Sequence, residues 1–263
     1  MRTNNTLWIF GDSFAANDSF KTLNGVVRHD RWWEQLAKKL NLNIENCARS
    51  GTSIDYTSLM FHKNFKKLKR NDVIVLALTD TQRQWLNKDM PTCTTFQMYE
   101  RLKNLDKISD EMFNHALYHF TEVLNSEVER TSAVNFINSV SYLTLKKGVK
   151  FIILPCFNHG HDAMVERENT ILGNNVIYPK KGHCLWTISV SEFKGKEKKL
   201  PKKVIDHRFN HLSPDNHTIL ANKLYDSLRT GTLDLSPKDF LIDIFTASEV
   251  RKLNNTWESK YNI

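Results

Sequence analysis

The chain has 263 residues, 40% of them hydrophobic and 25% charged, the balance of a globular protein and not of a disordered one. Thirty-seven Lys and Arg against 29 Asp and Glu leave a formal charge of +8, which hints at polyanions without naming one. The four cysteines (Cys47, Cys93, Cys156, Cys184) are too few for a disulfide scaffold and too far apart for a Cys-x-x-Cys knuckle. Near the start, only Leu7–Phe10 forms an apolar run, whereas a secretory signal needs roughly 7–15 such residues and a spanning helix about 20. Collagen-like, disulfide-rich and membrane-spanning classes are excluded, and a reduced cytoplasmic protein is the expectation.

Leu7–Phe10 predicts a buried strand that stops at Gly11. Residues 31–40 put Trp33, Leu36, Ala37 and Leu40 on one helical face. Leu42–Ala48 predicts a second strand, ended by Ser50-Gly51-Thr52-Ser53, and Ile54–Leu68 a second helix with a lysine-rich end. Val73–Leu78 is apolar on both faces, as a central parallel strand covered by helices should be. Residues 82–110 have weak periodicity and contain Pro91, so they read as an insertion. Met112–Leu145 predicts one long helix, or two with a break near 126–131, closed by Gly148. Lys150–Leu154 is the next strand, 157–182 is loop-rich, and Cys184–Val190 reads as a further strand. After a basic connector over 192–203, Pro214–Leu228 predicts a helix, and 236–263 a C-terminal helical extension beyond a domain spanning 1–235. Alternating strands and helices argue for an α/β fold: a three-layer α/β/α, flavodoxin-like domain with a mostly parallel sheet.

In such a fold function sits at the carboxyl ends of the strands. There the first strand runs into Gly11-Asp12-Ser13, a turn that can expose a serine hydroxyl and its own N–H. Far along the chain, His211 precedes Ser213-Pro214-Asp215, a helix-start signal that leaves the histidine outside the helix. Histidine is the usual base for a serine nucleophile, because its pKa lies near working pH.

Together these blocks resemble the SGNH (GDSL-type) hydrolase family. Gly11-Asp12-Ser13 matches its nucleophile block, Gly51 the glycine whose N–H serves the oxyanion hole, and His211-Leu-Ser-Pro-Asp-Asn-His217 the block with the catalytic histidine. The resemblance spans residues 6 to about 228. It implies Ser13 as nucleophile, His211 as base, and an oxyanion held by the N–H groups of Ser13 and Gly51. Two positions depart from the pattern. Thr79, in Ala77-Leu78-Thr79-Asp80, stands where the family has an oxyanion-binding Asn, so Thr79, Gln82 or Arg83 is left to supply that donor. Arg208 stands where the family has its Asp. Asp206 is therefore expected as the orienting acid, with a backbone carbonyl as the alternative.

Asp12, Asp80, Arg83, Trp85 and His159 are candidate substrate contacts. The spacing His159-Gly160-His161-Asp162 is common in ordinary loops, so no metal is expected, and the resemblance implies no cofactor. His217 reads as a surface or packing residue, and Trp32 and Trp33 as core and groove lining. The lysine clusters lack interleaved aromatics and read as solvated surface, so neither nucleic acid nor membrane is an expected partner. The reading is a serine esterase whose substrate is an ester-bearing small molecule or polysaccharide, with an O-acetyl group on a carbohydrate as the leading choice. Two rivals stay open: a weakly active or inactive carbohydrate-binding or structural component of the same fold, and an acyltransferase on the same site. The Lys- and Asn-rich composition and the Asn-His-Leu-Ser variant resemble phage-encoded relatives, which would fit assembly into a virion or a homo-oligomer.

Overall fold

Three strands with apolar side chains on both faces organise the structure, because such strands must be covered on both sides. They are β1 (Thr6–Gly11), β3 (Val73–Leu78) and β4 (Lys150–Pro155). This computed structural model describes residues 5–16, 30–157, 172–182, 184–186, 188, 212, 214–236 and 239–240. With β2 (Asn43–Asn46) and β5 (Val176–Ile177) the three strands form a five-stranded sheet in the order β2-β1-β3-β4-β5, each neighbouring pair parallel. This is the flavodoxin-like strand order, in which the crevice lies where β1 meets β3.

Side-chain alternation divides the interior into two cores. Leu7, Ile9, Val73, Val75, Ala77, Ile152 and Leu154 face one side, against Trp33 and Leu36 of α1 (Trp32–Leu40) and Leu220 and Leu224 of α6 (Pro214–Thr230). Trp8, Phe10, Ile74, Leu76, Phe151 and Ile153 face the other, against Phe61 of α2 (Ile54–Asn64) and Phe136 and Val140 of α5 (Ser126–Lys147). The result is the expected three-layer α/β/α arrangement. The helix ends follow local chemistry: the Glu34 carboxylate accepts from Arg31 N–H before α1, Ser53 Oγ accepts from Tyr56 N–H before α2, and Gly148 closes α5.

Three local expectations change, and between one long helix and two the structure has two. Residues 82–110 contain a helix, α3 (Phe96–Asn104), which packs with α4 (Asp110–Tyr118) around Cys93, Tyr99 and Ala116. The long helical stretch breaks at Leu124 and Asn125, after a π-helical turn over His119–Val123, because Asn125 Oδ1 accepts from Glu127 N–H and Val128 N–H and starts α5. Leu185, Trp186 and Ile188 are helical where a strand was expected. The loop-rich stretch also holds β5 and β6 (Pro179–Gly182), and β6 pairs in parallel with β7 (Leu233–Leu235) as a second small sheet. Most of 236–263 lies outside the described residues. Among the described residues no helix is long and apolar enough to cross a membrane.

Candidate active site

The Ser13 turn forms because β1 must end against β3. A Cβ on Gly11 would lie 2.2 Å from the Ala77 carbonyl oxygen, and Gly11 has φ +136°, so only glycine lets the two strands close this tightly. The chain then turns, with Ala15 N–H donating to the Asp12 carbonyl at 3.0 Å and Phe14 N–H to Asp12 Oδ1 at 3.1 Å. Ser13 sits between these bonds, on the carboxyl edge of the sheet and 8% exposed.

Asp12 has no exposed surface. Its Oδ2 accepts from the Thr79 hydroxyl at 2.8 Å and faces Arg83 Nη1 at 3.6 Å. The Cys156 thiol lies against the same carboxylate: burial pushes its pKa well up, and Asp12 and Cys184 push in the same direction. Asp12 thus joins the ends of β1, β3 and β4 beneath Ser13 and does not face solvent. Removing one partner of such a buried pair typically costs about 3–5 kcal/mol. Thr79 is fully buried in practice, at 1% exposure. In this arrangement its single hydroxyl hydrogen points to Asp12; reaching an oxyanion would require the hydroxyl to leave that acceptor.

The loop carrying Gly51 is tied to the same turn. Arg49 N–H donates to the Gly11 carbonyl at 3.1 Å, and Asn46 Nδ2 to the Ala15 carbonyl at 2.8 Å. Gly51 has φ +75°, and a Cβ there would come within 2.7 Å of the Thr92 carbonyl oxygen. The Thr94 hydroxyl donates to the Gly51 carbonyl at 2.6 Å, while Gln84 N–H donates to the Thr94 carbonyl at 2.9 Å. The segment after β3 therefore folds back and clasps the Gly51 loop. Asp80 shapes its start, accepting from Gln82 N–H at its side chain and from Arg83 N–H at its carbonyl. Trp85 donates its indole N–H to the Asn87 carbonyl and meets the Tyr56 ring edge-on at 5.8 Å.

Asp206, His211 and His159 lie outside the described residues, but the residue after His211 is described. Leu212 is buried in the same cluster as Phe14, the residue after Ser13. Trp32 makes the connection explicit. Its indole N–H donates to the Phe14 carbonyl at 3.0 Å, and its backbone N–H to Nδ1 of His217, in the first turn of α6, at 3.4 Å. His217 is 4% exposed, a packing residue that serves the α1 N-terminus and not a surface one. Sequence reasoning missed the roles of Asp12 as anchor, Thr94 as clasp and Trp32 as bridge. Only Asp12 carried a usable sign, an Asx residue two before a turn N–H. Among the described residues no three His, Cys, Asp or Glu side chains gather as metal ligands, and none of the four cysteines is in a disulfide.

No protein-family model matches the chain, and no curated protein does. Among solved structures it is similar to a carbohydrate esterase family 2 enzyme with its carbohydrate-binding domain from Corynascus thermopiles (Myceliophthora fergusii). That similarity has 10% identity, covers 88% of this chain and 67% of the other, and has a TM-score of 0.47. An acetyl xylan esterase from the rumen bacterium Butyrivibrio proteoclasticus gives 12% identity, coverage of 86% and 64%, and a TM-score of 0.45. A carbohydrate esterase described as having divergent catalytic and non-catalytic binding functions gives 14%, 88%, 66% and 0.41. The chain spans about two thirds of the length of these proteins.

Proposed function

We propose that the protein is a serine esterase that removes an acyl group, with an O-acetyl group on a carbohydrate as its leading substrate. The observation that carries this reading is the convergence on Trp32. The residues that follow Ser13 and His211 share one buried cluster, and Trp32 hydrogen-bonds both to Phe14 and to the helix that His211 precedes. The sequence blocks around Ser13, Gly51 and His211 supply the chemistry.

Ser13 Oγ attacks the acyl carbon as His211 takes its proton. The N–H groups of Ser13 and Gly51 receive the oxyanion. The tetrahedral intermediate collapses by breaking the bond from the acyl carbon to the sugar oxygen, and His211 returns its proton to the departing alcohol. Asp206, or a backbone carbonyl, holds the imidazole tautomer; water, deprotonated by the same histidine, then attacks the acyl-serine and frees the acid and the Ser13 hydroxyl. Thr79 contributes by fixing Asp12 under the nucleophile. Rates on p-nitrophenyl acetate and sugar acetates would test this. Ser13→Ala and His211→Ala should each lower kcat by roughly 10⁴-fold or more while leaving the fold intact; wild-type turnover no higher than either variant's removes the esterase.

A second reading draws on the Thr79 hydroxyl. With that donor given to Asp12, a chain of this fold could bind a carbohydrate without hydrolysing it. Failure of Ser13 to react with a fluorophosphonate, together with saturable oligosaccharide binding, would favour this reading.

A further inference from the structure

Ser13 has Asp12 on one side and Phe14 on the other, and a single side chain from the segment after β3 faces Asp12 directly and reaches Phe14 through the Phe157 ring. Arg83 Nη1 lies 3.6 Å from Asp12 Oδ2. The guanidinium carbon stands 4.9 Å above the centre of the Phe157 ring, and that ring meets Phe14 edge-on at 5.6 Å. Nη1 is buried and has no hydrogen-bond partner among the described residues, since 3.6 Å to Asp12 exceeds hydrogen-bond reach. A guanidinium stays charged at any working pH and is planar, so its edge can face a carboxylate while its face covers an aromatic ring. Only 13% of the Arg83 side chain is exposed, which suits a residue built into the wall better than one reaching for substrate.

We propose that Arg83 is a positioning residue for Ser13, acting through Asp12 on one flank of the nucleophile and through Phe157 and Phe14 on the other. The charge holds the Asp12 carboxylate over the ends of β1, β3 and β4. The planar face fixes the aromatic pair that limits movement of the turn. Loss of the side chain frees both flanks together, so the serine loses alignment without losing a substrate contact. This inference rests on the esterase reading for its kinetic test, but its central contact can be measured without that reading.

The kinetic arm compares wild type, Arg83→Gln and Arg83→Lys on p-nitrophenyl acetate, well below each variant's melting temperature. Small misplacements of a reacting group cost up to about a hundredfold, so Arg83→Gln should lower kcat about ten- to hundredfold with KM nearly unchanged. Arg83→Lys keeps the charge and loses the planar face, and should fall between the two. A raised KM at unchanged kcat would overturn the inference by making Arg83 a substrate contact, as would an unaltered kcat. The second arm is a thermal-stability cycle over Arg83→Gln, Asp12→Asn and the double variant, which needs no turnover. A smaller loss from Arg83→Gln in the Asp12→Asn background supports the coupling, and additive losses overturn it. A wild type without esterase activity but with this coupling would sink the proposed reaction and leave the positioning contact standing.

Discussion

Two aspartates stand at opposite ends of the central strands, both buried, and they are satisfied in different ways. At the amino end, Asp72 is 1% exposed and accepts four hydrogen bonds from neutral groups nearby in the fold: Thr6 N–H, Lys69 N–H, the Trp8 indole at 3.0 Å and, weakly, Asn5 Nδ2 at 3.5 Å. At the carboxyl end, Asp12 receives the Thr79 hydroxyl and one N–H and then faces a cation 3.6 Å away. The first arrangement closes on itself and joins β1 to the turn before β3. The second draws in Thr79 and Arg83, from the segment that follows β3 beside the Ser13 turn. A buried carboxylate served by neutral donors is a structural knot; one balanced by a guanidinium from a neighbouring loop couples that loop to whatever stands beside it.

The largest test of this contrast removes the knot. Asp72→Ala strips the acceptor from three good donors, and with each unsatisfied buried donor costing about 1–3 kcal/mol the chain should lose about 3 kcal/mol or more, read by urea unfolding. Ester turnover by the remaining folded protein should be unchanged; a drop in kcat would mean that the two ends are not separable.

Thr79→Val keeps the shape and removes the hydroxyl that Asp12 accepts. About 2 kcal/mol of stability should go, the worth of a hydrogen bond to a charged group. If Thr79 works through Asp12, kcat should fall about tenfold. A fall of about 10²–10³ would instead identify it as an oxyanion donor in its own right.

The smallest effect is alkaline. The Cys156 thiol beside Asp12 is held protonated well past its ordinary value of 9.0, mainly by burial. In the unfolded chain it ionises first, so its contribution to stability is intact below about pH 9 and declines as pH rises beyond that value. Melting temperature should fall above pH 9, and Cys156→Ala should flatten the fall. An identical slope in the variant would place the alkaline sensitivity elsewhere, for example at Cys93, which burial pushes up to about 11.

Much of the scaffold was legible because it obeys periodicity. The runs at Leu7–Phe10, Val73–Leu78 and Lys150–Leu154 became β1, β3 and β4, and the helical face at 31–40 became α1. The pieces that escaped are short or lie where sequence signals conflict. Pro179-Lys180-Lys181-Gly182 shows no alternation, and becomes a strand only because Leu233–Leu235, far along the chain, pairs with it. Phe96, Tyr99 and Leu102 do carry helical spacing, but Pro91 and the loop before them obscured it. In the site, the motif drew attention to Ser13 and the local turn to one bond of Asp12, whereas the bond of Asp12 to Thr79 and the functions of Thr94 and Trp32 depend on distant partners that no local pattern announces.

Trp32 has a consequence for biosynthesis. Its backbone N–H reaches His217 across 185 residues of sequence, so the bridge cannot form until synthesis has passed residue 217. At roughly 5–20 residues per second that interval is about ten to forty seconds. During it the turn bearing Ser13 can form on β1, but the helix that follows His211 has not yet left the ribosome. A nascent chain therefore presents Ser13 long before the segment that bears His211, and the Trp32 bridge closes only after residue 217 has emerged.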